Sequence, residues 1–169
     1  PGDHQGFEYS RTQNPTRTAL ENNIAALENA KFGLCFASGM AAIDTVCKLL
    51  SPGDEVIANN DLYGGTYRIF TKIYANYGIK FHFADMEDAA SVGELVNDNT
   101  KLIWIETPTN PMMKIIDIKV IAELAKKNNL LLAVDNTFAT PYLQRPMDLG
   151  ANIVMHSVTK YLSGHSDVV

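Results

Sequence analysis

Leu130-Leu131-Leu132-Ala133-Val134-Asp135-Asn136-Thr137 is the stretch on which the fold turns. Five consecutive apolar residues with no polar alternate need cover on both faces, and so short a run suits a buried parallel strand. Upstream, residues 117–128 carry helical spacing, and before them Leu102-Ile103-Trp104-Ile105-Glu106 is a second apolar run closed by a carboxylate. Downstream, residues 151–158 read as a further strand. The same alternation extends toward the N-terminus. Thr16 is placed to cap a helix reaching about Asn29, with Leu20, Ile24 and Leu27 on one face. Residues 31–38 read as a short buried strand. Residues 39–50 then form a helix through Met40, Ile43, Val46 and Leu50, stopped by Ser51-Pro52-Gly53. Strands follow at 55–58 and 80–84, and helices at 65–77 (Tyr67, Phe70, Tyr74) and 89–97. Such alternation predicts an α/β fold: a mostly parallel sheet with helices on both faces. Residues 1–15, polar and rich in Gly, Asn and Thr, form an arm or loop.

The 169 residues are 46% hydrophobic and 20% charged, the composition of one soluble globular domain. A net charge of −5 without any Lys/Arg-rich run argues against nucleic acid or a membrane surface as partner. Apolar runs fall far below the ~20 residues of a membrane span. The opening residues lack the apolar core of an export signal. Cys35 and Cys47 lie in apolar stretches without metal-ligand spacing and read as small core residues, which fits a reducing cytoplasm. Both ends interrupt a pattern, so a piece of a longer chain is expected.

In open parallel sheets, ligands bind beyond the carboxyl ends of the strands. Here those ends carry Ser38-Gly39-Met40, Glu106-Thr107-Pro108, Asp135-Asn136-Thr137 and Ser157-Val158-Thr159-Lys160. A carboxylate, hydroxyls and a lysine therefore share one rim. Asp135 emerges from an apolar run and needs a cationic or hydrogen-bonding partner; a pyridinium nitrogen is one, a capped loop another. Lys160 follows its strand between Thr159 and Gly164, where an amine forms an imine with an aldehyde, unless it is an ordinary surface lysine. Ser157 and Thr159 suit a phosphate, as do the backbone N–H groups of Gly39 and Met40 at a helix start, although Ser38 alone makes an ordinary N-cap. Tyr63, before Gly64-Gly65, can stack on a planar ring or pack in the core. Tyr9 and Arg11 sit in the arm, either solvated or reaching a neighbouring subunit to clamp a phosphate. His4, His82, His156 and His165 lack ligand spacing, so no metal site is expected, and His156 reads as a satisfied core histidine.

The run Ser157-Val158-Thr159-Lys160-Tyr161-Leu162-Ser163-Gly164-His165-Ser166-Asp167 resembles the lysine signature of the Cys/Met-metabolism enzymes that depend on pyridoxal 5′-phosphate (PLP). In the same order as in that family come four further blocks. They are Tyr9-Ser10-Arg11 with Asn14-Pro15-Thr16-Arg17, Ala37 to Ala42, Glu106-Thr107-Pro108-Thr109-Asn110-Pro111, and Asp135-Asn136-Thr137-Phe138. The resemblance covers essentially the whole chain. It implies the large domain of a fold type I (aspartate-aminotransferase-like) PLP-dependent enzyme, incomplete at both ends. Residues 1–15 would be the arm reaching a neighbouring subunit and residues 16–169 the partial PLP-binding domain. The C-terminal small domain, which supplies the arginine for the substrate carboxylate, is absent from this sequence.

Carried over residue by residue, the resemblance makes Lys160 the Schiff-base lysine and later acid/base. Asp135 becomes the partner of the pyridine nitrogen. Tyr63 becomes the ring-stacking residue that takes a proton from the incoming amine. Gly39, Met40, Ser157 and Thr159 would hold the phosphate, with Tyr9 and Arg11 completing the site from the adjacent subunit. Asn110 would contact the ring-hydroxyl side, with Glu106 close by. A shared site implies an obligate dimer, and the family usually forms tetramers. Gly64-Gly65-Thr66 followed by Arg68 resembles the cystathionine γ-lyase/γ-synthase group, which eliminates or replaces at the γ-carbon of sulfur amino acids. Methionine γ-lyases usually carry cysteine at the place of Gly65, and Tyr9-Ser10-Arg11-Thr12 looks less like the sulfhydrylases that act on O-acetylhomoserine. Cystathionine β-lyase remains an alternative. A nucleotide-binding dehydrogenase is disfavoured because no G-x-G-x-x-G follows the first strand. A silent scaffold subunit is disfavoured by the retention of Lys160, Asp135 and Tyr63.

Overall fold

The structure, a computed structural model, describes residues 6–168. The first five residues of the expected arm, His4 among them, and Val169 lie outside the described residues. Helix α1 spans Pro15–Leu27 and α2 spans Gly39–Cys47. Strand β1 (Glu55–Asn59) leads to α3 (Gly64–Lys72), β2 (Lys80–Ala84) and α4 (Ala89–Glu94). Then follow β3 (Thr100–Glu106), α5 (Ile118–Lys127), β4 (Leu131–Asp135), α6 (Thr140–Leu143) and β5 (Ile153–Met155). The five strands form one parallel sheet in the order β2-β1-β3-β4-β5.

Strand alternation divides the core in two. Ile57, Ile103, Ile105, Leu132 and Val134 face a cluster completed by α5 residues such as Ile121 and Ala125. Val56, Ala58, Leu102, Trp104 and Ala133 face the other way, onto α2 and α3 through Ile43, Val46 and Phe70. Both faces are covered, which is why β3 and β4 read as uninterrupted apolar runs. Phe70 meets Trp104 edge-on with ring centroids 5.7 Å apart. By parity, Glu106 continues the face of Trp104 and Asp135 the face of Ala133, so both carboxylates emerge on the α2/α3 side. In register they are direct neighbours across β3 and β4.

Four expectations need correction. Asn14, not Thr16, caps α1: its Oδ1 accepts from Thr16 N and Arg17 N at 3.0 and 3.2 Å, and Pro15 opens the helix. The Leu20 and Leu27 side of that helix is exposed. Residues 31–38 form no strand. Their backbone is drawn onto α1, where Cys35 N donates to Glu21 Oε1 at 2.9 Å and a Cβ on Gly33 would lie 2.1 Å from the Glu21 carbonyl oxygen. Phe32 and Leu34 are consequently about three-quarters exposed (75% and 74%). The helix expected over 65–77 breaks at Ile73 into α3 and a 3-10 turn, Tyr74–Tyr77, because the buried Tyr74 hydroxyl donates to Asp44 Oδ1 at 2.7 Å. The last strand is only three residues long, since residues 157–164 turn back on themselves (Gly164 N to the Lys160 carbonyl, 2.8 Å). The short helix α6 and the 3-10 turn Pro146–Leu149 had no clear sequence signal.

Among the described residues, no helix is long and apolar enough to cross a membrane, and no three His, Cys, Asp or Glu side chains cluster as metal ligands.

Candidate active site

The carboxyl ends of β1, β3, β4 and β5 and the N-terminus of α2 enclose a cavity of about 220 Å³. One corner of it is built from backbone. Ser38 Oγ accepts from Ala41 N at 3.1 Å, leaving the first N–H groups of α2, those of Gly39 and Met40, without helical acceptors. Gly39 faces the loop after β5: a Cβ there would lie 3.0 Å from Ser157 Cβ and 3.1 Å from its Oγ. Glycine is what allows the helix start and the hydroxyl-bearing loop to share this corner.

Asp135 forms the polar end of the cavity. It is buried, and its Oδ1 accepts from Thr137 N at 3.0 Å and Thr137 Oγ1 at 2.5 Å. The same Thr137 hydroxyl accepts from Ser157 N at 2.9 Å, tying the carboxylate to the Lys160 loop. Burial raises the Asp135 pKa, and Thr137 and His156 oppose the shift.

Glu106 is buried beside it and accepts from Tyr63 N at 2.9 Å through Oε2. Burial, then the nearby Asp135 and Asp61 charges, push its pKa up to about 8 against the Tyr63 and Asn110 N–H groups. Its backbone is locked by Asn59, whose Oδ1 accepts from Glu106 N (2.9 Å) and whose Nδ2 donates to Glu106 O (3.2 Å). Asp61 anchors the loop carrying Asn110 by accepting from the Thr109 hydroxyl and, at 3.1 Å, from Met112 N. Tyr63 caps the N-terminus of α3 and stays partly exposed, with its ring so close to Gly65 that a Cβ there would lie 2.2 Å from Tyr63 Cε1.

Eight of the ten residues expected to bind cofactor line this one cavity: Gly39, Met40, Tyr63 and Asn110, and Asp135, Ser157, Thr159 and Lys160. Tyr9 and Arg11 do not. They lie in a turn pinned to α1 by Arg17, whose Nη2 donates to Thr12 O at 2.7 Å, and Arg11 stacks over the exposed Tyr9 ring at 5.1 Å. Lys160 reaches the cavity but remains exposed. Thr137 escaped the sequence reading as a site residue, although a hydroxyl two positions after a strand-end aspartate was the available signal. Phe138 and Met155 add apolar wall. Cys47 is buried and its thiol pKa is pushed up to about 12, so it takes no part. Cys35 is only half-buried, short of the core position expected for it.

The donor set fits PLP. An N-terminal helix nest with Ser157 and Thr159 suits a phosphate. A buried carboxylate whose hydrogen bonds, among the described residues, come from Thr137 suits a ring N–H. A lysine and a tyrosine flank the space between them.

A family model described as the Cys/Met metabolism PLP-dependent enzyme matches residues 1–169. A probable cystathionine γ-synthase of Herpetosiphon aurantiacus is 54% identical over 99% of this chain and 53% of its own length. A cystathionine γ-lyase of Bacillus subtilis is 55% identical over 99% of this chain and 44% of its own. Among solved structures, cystathionine γ-lyase from Lactobacillus plantarum complexed with L-serine superposes with a TM-score of 0.96 at 51% identity, covering 98% of this chain and 43% of that one. The chain thus spans about half the length of the relatives it matches. Matched from end to end by the family model, it belongs to the Cys/Met metabolism PLP-dependent enzyme family.

Proposed function

We propose that the protein of which this chain is part catalyses PLP-dependent elimination or replacement at the γ-carbon of sulfur amino acids, as a cystathionine γ-lyase or γ-synthase. The observation that carries the reading is the convergence of Lys160, Asp135, Tyr63 and the α2 N-terminus on one cavity. When bound, PLP supplies an aldehyde for covalent attachment of amines and a protonated ring that stabilises negative charge on the adjacent carbon.

The chain's own groups account for the rest. The Lys160 amine would hold the cofactor and, once free, would be placed to carry protons between substrate carbons. Asp135, its carboxylate fixed by Thr137, would hold the ring nitrogen in its protonated form. Tyr63 would stack on the ring and would be placed to take a proton from the incoming amine. Gly39 and Met40 N–H groups with Ser157 and Thr159 orient the phosphate end, and Asn110 orients the ring-hydroxyl side.

Tyr9 and Arg11 act from a neighbouring subunit, which makes a dimer the smallest complete unit and a tetramer the expected assembly. Their exposure, and their lying outside the lining of this chain's own cavity, support that placement. Residues 1–15 form the intersubunit arm, residues 16–169 part of the PLP-binding domain, and the substrate-carboxylate arginine comes from a C-terminal domain. Free Cys35 and Cys47 suit a reducing cytoplasm.

The test is a product assay on the full-length protein with PLP. Cystathionine should yield a four-carbon keto acid, ammonia and cysteine, or an O-acylated homoserine with cysteine should yield cystathionine. Three-carbon keto acid from cystathionine would move the assignment to the β-lyase, the name borne by a Coxiella burnetii relative 52% identical to this chain. No turnover of either substrate would refute the proposal.

A further inference from the structure

Behind the cavity lies a second polar layer that the chemistry above does not use. Glu28, at the C-terminal cap of α1, is 2% exposed. Its Oε1 accepts from His156 Nε2 at 2.6 Å and from Asn136 Nδ2 at 2.8 Å, across 128 and 108 positions of sequence. Asn136 is fully buried; its Oδ1 accepts from Gln144 Nε2 at 2.8 Å, and its Nδ2 also donates to Gln144 O at 2.9 Å. Gln144 Nε2 then donates to Thr107 O at 2.9 Å.

The members of this layer have particular neighbours. Thr107 follows Glu106, Asn136 follows Asp135, and His156 precedes Ser157. Successive residues at a strand end point to opposite faces. Asp135 and Ser157 are therefore each backed by an adjacent residue bonded to Glu28, and Gln144 extends the layer to the Thr107 carbonyl beside Glu106. Two atoms of the layer, Glu28 Oε2 and His156 Nδ1, are buried without a hydrogen-bond partner among the described residues. Apolar residues of similar volume would fill such a position at no greater cost, so the layer is not explained by stability alone.

We infer that Glu28, through His156, Asn136 and Gln144, is a positioning residue that fixes the relative placement of Asp135, Ser157 and the Lys160 loop. One carboxylate oxygen holds the backbone beside the ring-nitrogen partner and the backbone beside the phosphate hydroxyls at a single separation. The cofactor must touch both at once. The inference rests on the cofactor site proposed above.

The test uses the full-length protein stripped of cofactor and titrated with PLP, read by visible absorbance and by the visible circular dichroism per bound cofactor. Glu28→Leu removes the shared acceptor, whereas Glu28→Gln keeps an oxygen in its place. Glu28→Leu should weaken PLP binding about tenfold or more and diminish the dichroic signal at saturation, with Glu28→Gln within roughly threefold of wild type. Wild-type binding and dichroism in Glu28→Leu would overturn the inference. So would weaker binding with an unchanged signal per bound cofactor, the mark of a purely structural role. Should Glu28→Leu fail to fold, Gln144→Met at the half-buried end of the layer serves instead. It should weaken binding roughly threefold and lower the signal, and an unaltered titration would overturn the inference. Failure of the wild-type protein to bind PLP would overturn the cofactor site itself, and this inference with it.

Discussion

Glu106→Gln tests how the site handles two neighbouring buried carboxyl groups. Glu106 is buried next to Asp135, and its pKa rises from the ordinary 4.5 to about 8. The folded protein therefore keeps a proton that the unfolded chain releases above about pH 4.5. The contribution of Glu106 to stability is complete below that pH and is lost as pH climbs through about 8. Within this window the loss amounts to about 1.4 kcal/mol per pH unit, on the order of 5 kcal/mol in all. Glutamine is neutral throughout and can still accept from Tyr63 N. Urea unfolding of the cofactor-free full-length protein at a series of pH values isolates the effect. The variant should gain on wild type with each step from about pH 5 to about 8 and then level off. A difference that stays flat across the series would refute the reasoning, because Glu106 would then ionise alike in folded and unfolded protein.

Three further substitutions probe the cavity. Gly39→Ala places a methyl 3.0 Å from Ser157 Cβ, narrowing the corner proposed for the phosphate. PLP affinity measured by titration should fall about tenfold. Gly65→Ala puts a Cβ 2.2 Å from Tyr63 Cε1 and 2.8 Å from Met40 Sδ. The partly exposed Tyr63 ring must give way, so the fold survives while kcat/KM drops by about 100-fold in a steady-state assay. Thr137→Val takes a hydroxyl donor from Asp135 and leaves Ser157 N unpartnered. It should cost about 1–3 kcal/mol in thermal or urea unfolding and lower PLP affinity in parallel.

The sheet was legible because burial on both faces leaves a plain mark. The apolar runs of β3 and β4, each closed by a carboxylate, marked the strands, the parallel sheet and the rim on which Glu106 and Asp135 sit, but not the order of the strands. Some short-range signals were readable, such as Ser38 before Gly39 at a helix start, whereas the α1 cap fell on Asn14 and not Thr16. Residues 31–38 misled because Phe32, Leu34 and Phe36 look like strand core, yet they are exposed along α1. Apolar content alone does not say what covers it. The Glu28 layer was invisible for another reason. Its partners lie more than a hundred positions apart, and a glutamate at a helix end carries no sign that it will be buried. Assigning roles to Tyr9 and Arg11 needed the family resemblance, since nothing in this chain's own cavity touches them.

The central claim is that Lys160 holds the cofactor, and borohydride trapping tests it most directly. The full-length protein is loaded with PLP, its visible spectrum recorded, then reduced with borohydride, digested and mapped by mass. The account predicts a yellow protein whose visible band is lost on reduction, with the cofactor mass fixed on the peptide containing Lys160. A colourless protein, or a label on any other lysine, would contradict it.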